Sequence, residues 1–357
     1  MKLLFIGSGH PLASCDMCLM WDKLGLEWFD TSYYNSSDQP GDLPYIKRNL
    51  NLDPAYTYEF NKANKSSGES DVLIKKNKDF TSTACNNIFL FNRRFIQIFD
   101  TIVISHVEQN LRQNAQFMRF GRQKIIFHSF GMGNSEDSIK RYRAKGMLCV
   151  RNSPTEYLKF GRQFGGSDAI IRGGVVRDEH EISGWTGQRA QVITFTNNFD
   201  LDYEISAVKR KEYYKQIKNM CSGINFKLYG AANKESSYLP HQEKVKILQN
   251  SRVNLVTGTP GSNMTYSCVE SLVMGMPTVV FGQEMWQSPL AYEPKDLITH
   301  GEDGFLVSTP AEAADIIKEL MNNFALAKQI GDAGRKRAIQ IYGRDILANQ
   351  WKEFLGL

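Results

Sequence analysis

The sequence contains no run of about 18 apolar residues, the length a helix needs to cross a bilayer, and no charged, apolar, small-residue leader of the kind that directs secretion. A chain with neither reads as cytoplasmic. Cysteine is scarce, six in 357 residues, and scattered. Cys15 and Cys18 form a lone Cys-x-x-Cys without a second pair or nearby histidines, which favours a buried reduced pair over a zinc or redox centre. There is no short-period repeat and no low-complexity tract, so repeat architectures and disordered classes are excluded. What remains is 42% hydrophobic and 23% charged, the balance of a soluble globular chain long enough for two domains of ordinary size.

The stretch Thr265 to Gly282 organises the second half. Val269, Leu272, Val273 and Met276 recur near helical spacing, Gly275 ends the run, Pro277 prevents its continuation, and Thr278 to Phe281 is a short β-branched strand. The Gly- and Pro-rich loop TGTPGSN precedes it. A glycine-rich loop leading to a helix N-terminus offers unpaired N–H groups and the positive end of the helix dipole to a phosphate. Glu270, a turn and a half into that helix, is suited to accept ribose hydroxyls.

Elsewhere the pattern alternates. KLLFIGSGH at 2–10 is a buried strand followed by a turn in which Gly7 and Gly9 let a ligand approach, although the third glycine of a dinucleotide fingerprint is missing. LEWFDTS follows as a strand, and residues 35–80 read as polar surface insertions. Apolar runs at 101–106, 124–131, 147–154 and 168–176 are separated by polar segments, and after a charged stretch the series resumes with QVITFTNN, INFKLYG and RVNLVTG. This is the signature of two parallel α/β sheets covered on both faces, with a cleft between the halves. The expected division is a first Rossmann-like domain over 1–177, a linker over 178–190, a second Rossmann-like domain over 191–340 and a returning helix over 341–357. His106 and His128 each fall at the carboxyl end of a strand, the edge where open α/β sheets bind ligands, and are candidate acceptor or sugar contacts.

The second half resembles the donor-binding domain of GT-B glycosyltransferases, in particular the large retaining family related to sucrose and glycogen synthases. The residues that carry this likeness are TGTPGSNMTYSCVESLVMGMPTVV and then HGEDGFLV at 300–307, followed directly by AEAADIIKEL. The resemblance implies a nucleotide-diphosphate sugar as co-substrate, a UDP-sugar above others, with no prosthetic group and no metal. It implies that Glu270 binds ribose, that Asn263, Met264, Thr265 and Tyr266 place N–H groups on phosphate and sugar, and that His128 contacts the sugar. There are two departures. The family pairs two glutamates, and Ser262 stands where the earlier one falls. The family's Gly-Arg after the first strand of the second domain is Asn197-Asn198 here, with Lys209 and Arg210 only as distant candidates for the diphosphate. Asp200 and Asp202 form a literal Asp-x-Asp and read as loop residues or a helix cap. Retaining transfer needs no strong side-chain base; inverting transfer would, and His128 is then the candidate.

Charge is uneven. Between Arg112 and Arg177 there are thirteen Lys and Arg against four acids, an excess of nine, whereas the whole chain carries only +5. The excess is densest in IKRYRAK, where Lys140, Arg141, Arg143 and Lys145 are candidate acceptor contacts. A polyanion exploits such a field. The favoured acceptor is DNA with a hydroxymethylated base, of the kind bacteriophage GT-B glucosyltransferases modify; a phosphate-bearing envelope glycan or an anionic membrane surface is the alternative. An epimerase of the same architecture, or a sugar-nucleotide-binding protein that has lost catalysis, are further readings.

Overall fold

The computed structural model describes residues 1–7, 11–30, 91, 93–105, 108–129, 136–157, 166–173, 184–196, 205–230, 239, 241–257, 265–282 and 294–357. The chain divides into two compact units. The first comprises Met1–Tyr157, Arg162–Gly173 and Ala348–Leu357; the second comprises Leu158–Gly161 and Gly174–Leu347.

In the first unit β1 (Lys2–Ile6), β2 (Glu27–Asp30), β3 (Thr101–Ser105), β4 (Lys124–Ser129), β5 (Leu148–Arg151) and β6 (Ala169–Ile170) form a parallel sheet in the order β2-β1-β3-β4-β5-β6. The strands are near-continuous apolar runs because both faces are covered, and β3 is buried along its whole length. The helices are α1 (Pro11–Lys23), α2 (Arg93–Ile96), α3 (Glu108–Asn114), α4 (Glu136–Arg143) and α5 (Pro154–Tyr157). One core gathers Phe29, Phe91, Phe95 and Phe99 beside Ile102, Ile104 and Phe127. Among the described residues of the apolar run at 168–176, the strand is the two residues of β6.

In the second unit β7 (Arg189–Phe195), β8 (Asn225–Tyr229), β9 (Ser251–Val256), β10 (Thr278–Phe281) and β11 (Phe305–Val307) are likewise parallel, in the order β11-β10-β9-β7-β8. They alternate with α6 (Ile205–Met220), α7 (His241–Asn250), α8 (Tyr266–Met274), α9 (Pro294–Leu297), α10 (Pro310–Asn322) and α11 (Phe324–Tyr342). The last helix is α12 (Arg344–Leu355). Trp185, within 178–190, is held by this unit: its backbone N–H donates to Met274 O at 3.1 Å, its indole N–H to Ser251 O at 2.7 Å, and its ring stacks on Phe324. At the other end of the chain Trp351 of α12 is fully buried edge-on against Trp21, 5.0 Å between centroids, in the first unit.

Sequence chemistry sets the element ends. Thr309 caps α10 by accepting from the Glu312 N–H, Pro310 occupies the first turn, and the Glu312 carboxylate accepts from the Ser308 N–H at 2.7 Å. Gly275 ends α8 in the left-handed region at φ 80°. Its N–H donates to Leu272 O and the Met276 N–H donates to Ser271 O, the two bonds of a Schellman turn.

Helix α11 lies directly against that turn. A methyl group on Gly331 would stand 2.0 Å from Gly275 O, and one on Gly334 would stand 2.7 Å from Asp303 O. Only glycine allows the two backbones to meet so closely, and Leu272, Val273, Ala338 and Tyr342 seal the contact in one apolar cluster. Gly331→Ala must therefore displace backbone, costing about 1–3 kcal/mol. Urea unfolding of this variant should show a lowered midpoint, with exposed Lys336→Ala unchanged as the control.

Candidate functional site

The site is built on α8 and its neighbours at the carboxyl edge of the second sheet. Thr265 precedes the helix with φ −114° and ψ 88°, and its side chain makes no capping bond. Cys268, Val269, Glu270, Ser271, Leu272, Val273 and Met274 are all buried, so the helix is held by packing more than by propensity. Asn254 of β9 fixes its orientation. The amide Nδ2 donates to Ser267 O at 3.1 Å and to Ser271 Oγ at 2.5 Å, and Ser271 Oγ donates to Ser267 O at 2.7 Å.

Glu270 is 3% exposed and forms an ion pair with Lys244 of α7. Lys244 Nζ in turn lies 5.3 Å from the centroid of Phe195, the last residue of β7. Phe195 stacks on Tyr229, the last residue of β8, at 5.4 Å. Parallel pairing places both aromatic residues on one sheet edge, and the N-terminal half of α7 reaches the same edge. A buried carboxylate without a cation is costly; Lys244 supplies the cation, and the Phe195 ring accommodates it. Burial raises the Tyr229 phenol above its ordinary pKa, against the opposing pull of Arg189. Lys244 is a site residue that the sequence reading missed: HQEKVKIL scans as an ordinary amphipathic helix.

His128 has no exposed surface. Its Nε2 lies 3.0 Å from Ile171 O, and its ring meets Trp351 edge-on at 5.4 Å. Desolvation lowers its pKa to about 4, although the bond to Ile171 works in the opposite direction. At neutral pH it is an uncharged interior ring. Beside it at the carboxyl edge of the first sheet is a buried polar network that the sequence reading also missed. Arg151 pairs with Glu156 at 3.1 Å, both side chains with no exposure. Glu156 also accepts from the Asn152 N–H at 2.9 Å, and Ser153 Oγ accepts from the Glu156 N–H at 3.2 Å. Ser153 thus caps α5, a pattern legible in SPTE, while the Glu156 carboxylate reaches back one residue further than in a capping box, to Asn152. Desolvation raises the Glu156 pKa, and Arg151 is the largest influence holding it down.

The basic segment divides. Lys140, Arg141 and Lys145 are exposed, with Lys145 Nζ 5.5 Å from the centroid of Tyr142. Arg143 is engaged: its guanidinium donates to both Asp168 oxygens at 2.7 and 3.1 Å, and Asp168 Oδ2 also accepts from the Cys149 N–H at 2.7 Å. Because α4 runs back from the end of β4 to the start of β5, its basic last turn lies at the amino edge of the sheet, away from the carboxyl edge that binds ligands in such folds. Arg210 is buried on α6, and Lys209 lies one residue before it. Gly9, His106, Asn197, Asn198, Asp200, Asp202, Ser262, Asn263 and Met264 lie outside the described residues. No helix among the described residues is long and apolar enough to cross a membrane.

Comparison with known proteins gives the fold a class. The chain is similar to HepE of Anabaena solved with UDP, with 14% identity, TM-score 0.61 and all of both chains covered. It is similar to sucrose-phosphate synthase of Thermosynechococcus elongatus, with 12% identity, TM-score 0.62, and 99% of this chain and 98% of the other covered. A glycosyltransferase of Rickettsia africae ESF-5 matches at 13% identity and TM-score 0.61, over 99% and 98% of the two chains. The two parallel α/β units are therefore those of the GT-B fold. No curated protein sequence matches. A model of the FMRFamide related peptide family matches two short stretches, 112–122 and 153–162. The first contains the string Phe117-Met118-Arg119-Phe120, which leads into β4 with Met118 buried in the core.

The buried histidine gives the stability a pH dependence. With a folded pKa of about 4 against 6.5 unfolded, its contribution is fully present above pH 6.5 and is lost as pH falls through 4. The difference is about 3 kcal/mol. In His128→Gln, urea unfolding should show a drop in stability between pH 7 and pH 4 that is smaller by about that amount.

Proposed function

We propose that this chain is a glycosyltransferase that moves a sugar from a nucleotide-diphosphate donor, a UDP-sugar, to an acceptor hydroxyl. The observation that carries this reading is Glu270: a buried carboxylate on the first helix after β9, its charge matched by Lys244, at the carboxyl edge of a parallel sheet. A carboxylate so placed accepts the two hydroxyls of a ribose whose diphosphate meets the start of α8, at Thr265 and Tyr266. That HepE is solved with UDP and with UDP-glucose supports the choice of donor.

In the reaction the anomeric C–O bond breaks and its electron pair leaves on the diphosphate, while the acceptor oxygen bonds to the anomeric carbon and yields its proton to the departing phosphate. The protein's part is to stabilise charge growing on the phosphates and to position the acceptor. The start of α8 serves the first task, with Lys209 and Arg210 as more distant candidate cations. We infer retention of anomeric configuration, which needs no side-chain base; the burial of His128 supports this. The exposed Lys140, Arg141 and Lys145 lie at the amino edge of the first sheet, so they do not touch the reacting hydroxyl; they suit the flanking phosphates of a long polyanion, and duplex DNA carrying hydroxymethylated bases is the acceptor we propose.

Glu270→Ala should weaken UDP binding in calorimetry about ten- to a hundredfold; because it also leaves the largely buried Lys244 ammonium without its carboxylate, the melting temperature should fall as well, and binding is measured well below that temperature. Unaltered binding would remove the core of the reading. Incubation with a panel of UDP-sugars and hydroxymethylated duplex should yield a glycosylated product whose anomeric proton coupling matches the donor's. An inverted coupling refutes retention, and an epimerised donor without acceptor product points to an epimerase. Duplex binding should fall steeply with salt and weaken in the joint Lys140→Ala, Arg141→Ala, Lys145→Ala variant; no binding at low salt removes DNA as acceptor.

A further inference from the structure

The nucleotide reading gives Glu270 a ligand but does not explain its partner. Lys244 comes from a different helix, and its ammonium reaches one carboxylate oxygen, Oε2, of Glu270. It does so across the face of Phe195, whose ring is backed by Tyr229. The Lys244 side chain is 17% exposed and Glu270 3% exposed, so the pair lies at the boundary between protein and solvent, with the cation on the wetter side. A lysine whose only task was to neutralise a buried acid would not need an aromatic seat. A lysine that must hold one carboxylate oxygen in a fixed direction does, because four rotatable bonds otherwise let the ammonium wander.

We propose that Lys244 is a positioning residue for the donor: it holds one oxygen of Glu270 so that the carboxylate plane is set for the vicinal 2′,3′-diol of the nucleoside, and it thereby makes the site discriminate ribose from deoxyribose. Glu270 and Lys244 act as one diol-reading unit, with Phe195 and Tyr229 as its floor. The inference rests on the nucleotide-sugar reading of this site. A site that hydrogen-bonds a hydroxyl rejects the analogue lacking it, because the site's buried polar groups are then left without partners. The rejection is sharp only where those groups cannot turn elsewhere.

The test measures UDP and 2′,3′-dideoxy-UDP binding by calorimetry in the full chain and in Lys244→Met, Lys244→Arg and Glu270→Ala. The unaltered chain should prefer UDP over the dideoxy analogue by about thirtyfold or more, the equivalent of two hydrogen bonds. Lys244→Met should weaken UDP about tenfold while leaving the dideoxy analogue within about twofold, so that the preference collapses; Lys244→Arg should restore most of it. Inorganic diphosphate should compete equally well against the unaltered chain and against Lys244→Met. If diphosphate competition weakens while the ribose preference persists, Lys244 serves the phosphates and the proposal is wrong. If Lys244→Met changes both nucleotides equally, its role is merely structural and the proposal is wrong. Should Lys244→Met not fold, Lys244→Arg alone decides, since an arginine that folds but loses the preference contradicts the proposed direction of hold. If instead Glu270→Ala leaves UDP affinity intact, it is the nucleotide reading itself that fails.

Discussion

A carboxylate can be buried only if something answers its charge, and in this chain that constraint joins elements far apart in sequence. Glu270 is on α8 and Lys244 on α7, and they meet because β9 lies between β7 and β10 in the sheet order. The Asn254 amide, reaching from β9 to Ser267 and Ser271, fixes the height of α8 on that sheet. The Schellman turn at Gly275 ends the helix where α11 crosses it. Together these contacts fix α8, the helix that carries Glu270.

The first unit meets the same kind of constraint in another way. Arg151 and Glu156 are five residues apart, and their charges are matched beside the Ser153 cap that anchors the turn from β5 to α5. Both charges are withdrawn from water completely. Breaking one partner of such a pair costs far more than the pair contributes. The network is therefore better understood as fixing the end of β5 than as binding anything.

Much of the fold was legible in the sequence. Strands buried on both faces are written as short apolar runs, and turn chemistry marks their ends, so the two parallel sheets and α8 followed from periodicity and glycine placement. The short β6 did not follow, because an apolar run shows only that residues are buried, not that a neighbouring strand is present along their whole length. The direction of α4 was available in principle: a helix between two parallel strands must carry its last turn back to the amino edge, so the basic residues of IKRYRAK had to lie there. What could not be read is long-range. His128 is enclosed by Trp351, and Glu270 is partnered by Lys244, through contacts between segments that carry no mark of each other in the chain. The same holds for Gly331 and Gly334, whose neighbours Gly275 and Asp303 are distant in the chain.

That contact also bears on how the protein can change over evolutionary time. Helix α8 is clamped at its far end, where two glycines of α11 press on backbone, and its near end opens without a side-chain cap at Thr265. Folding depends on the clamped end, whereas the other is the end at which we propose the donor's diphosphate is held. On that reading, substitutions at Thr265 and Tyr266 are largely separated from those that would unfold the unit, and a lineage can explore new donors there without first acquiring compensating stability elsewhere. A glycine pair remote from any ligand is what grants the binding end its evolvability.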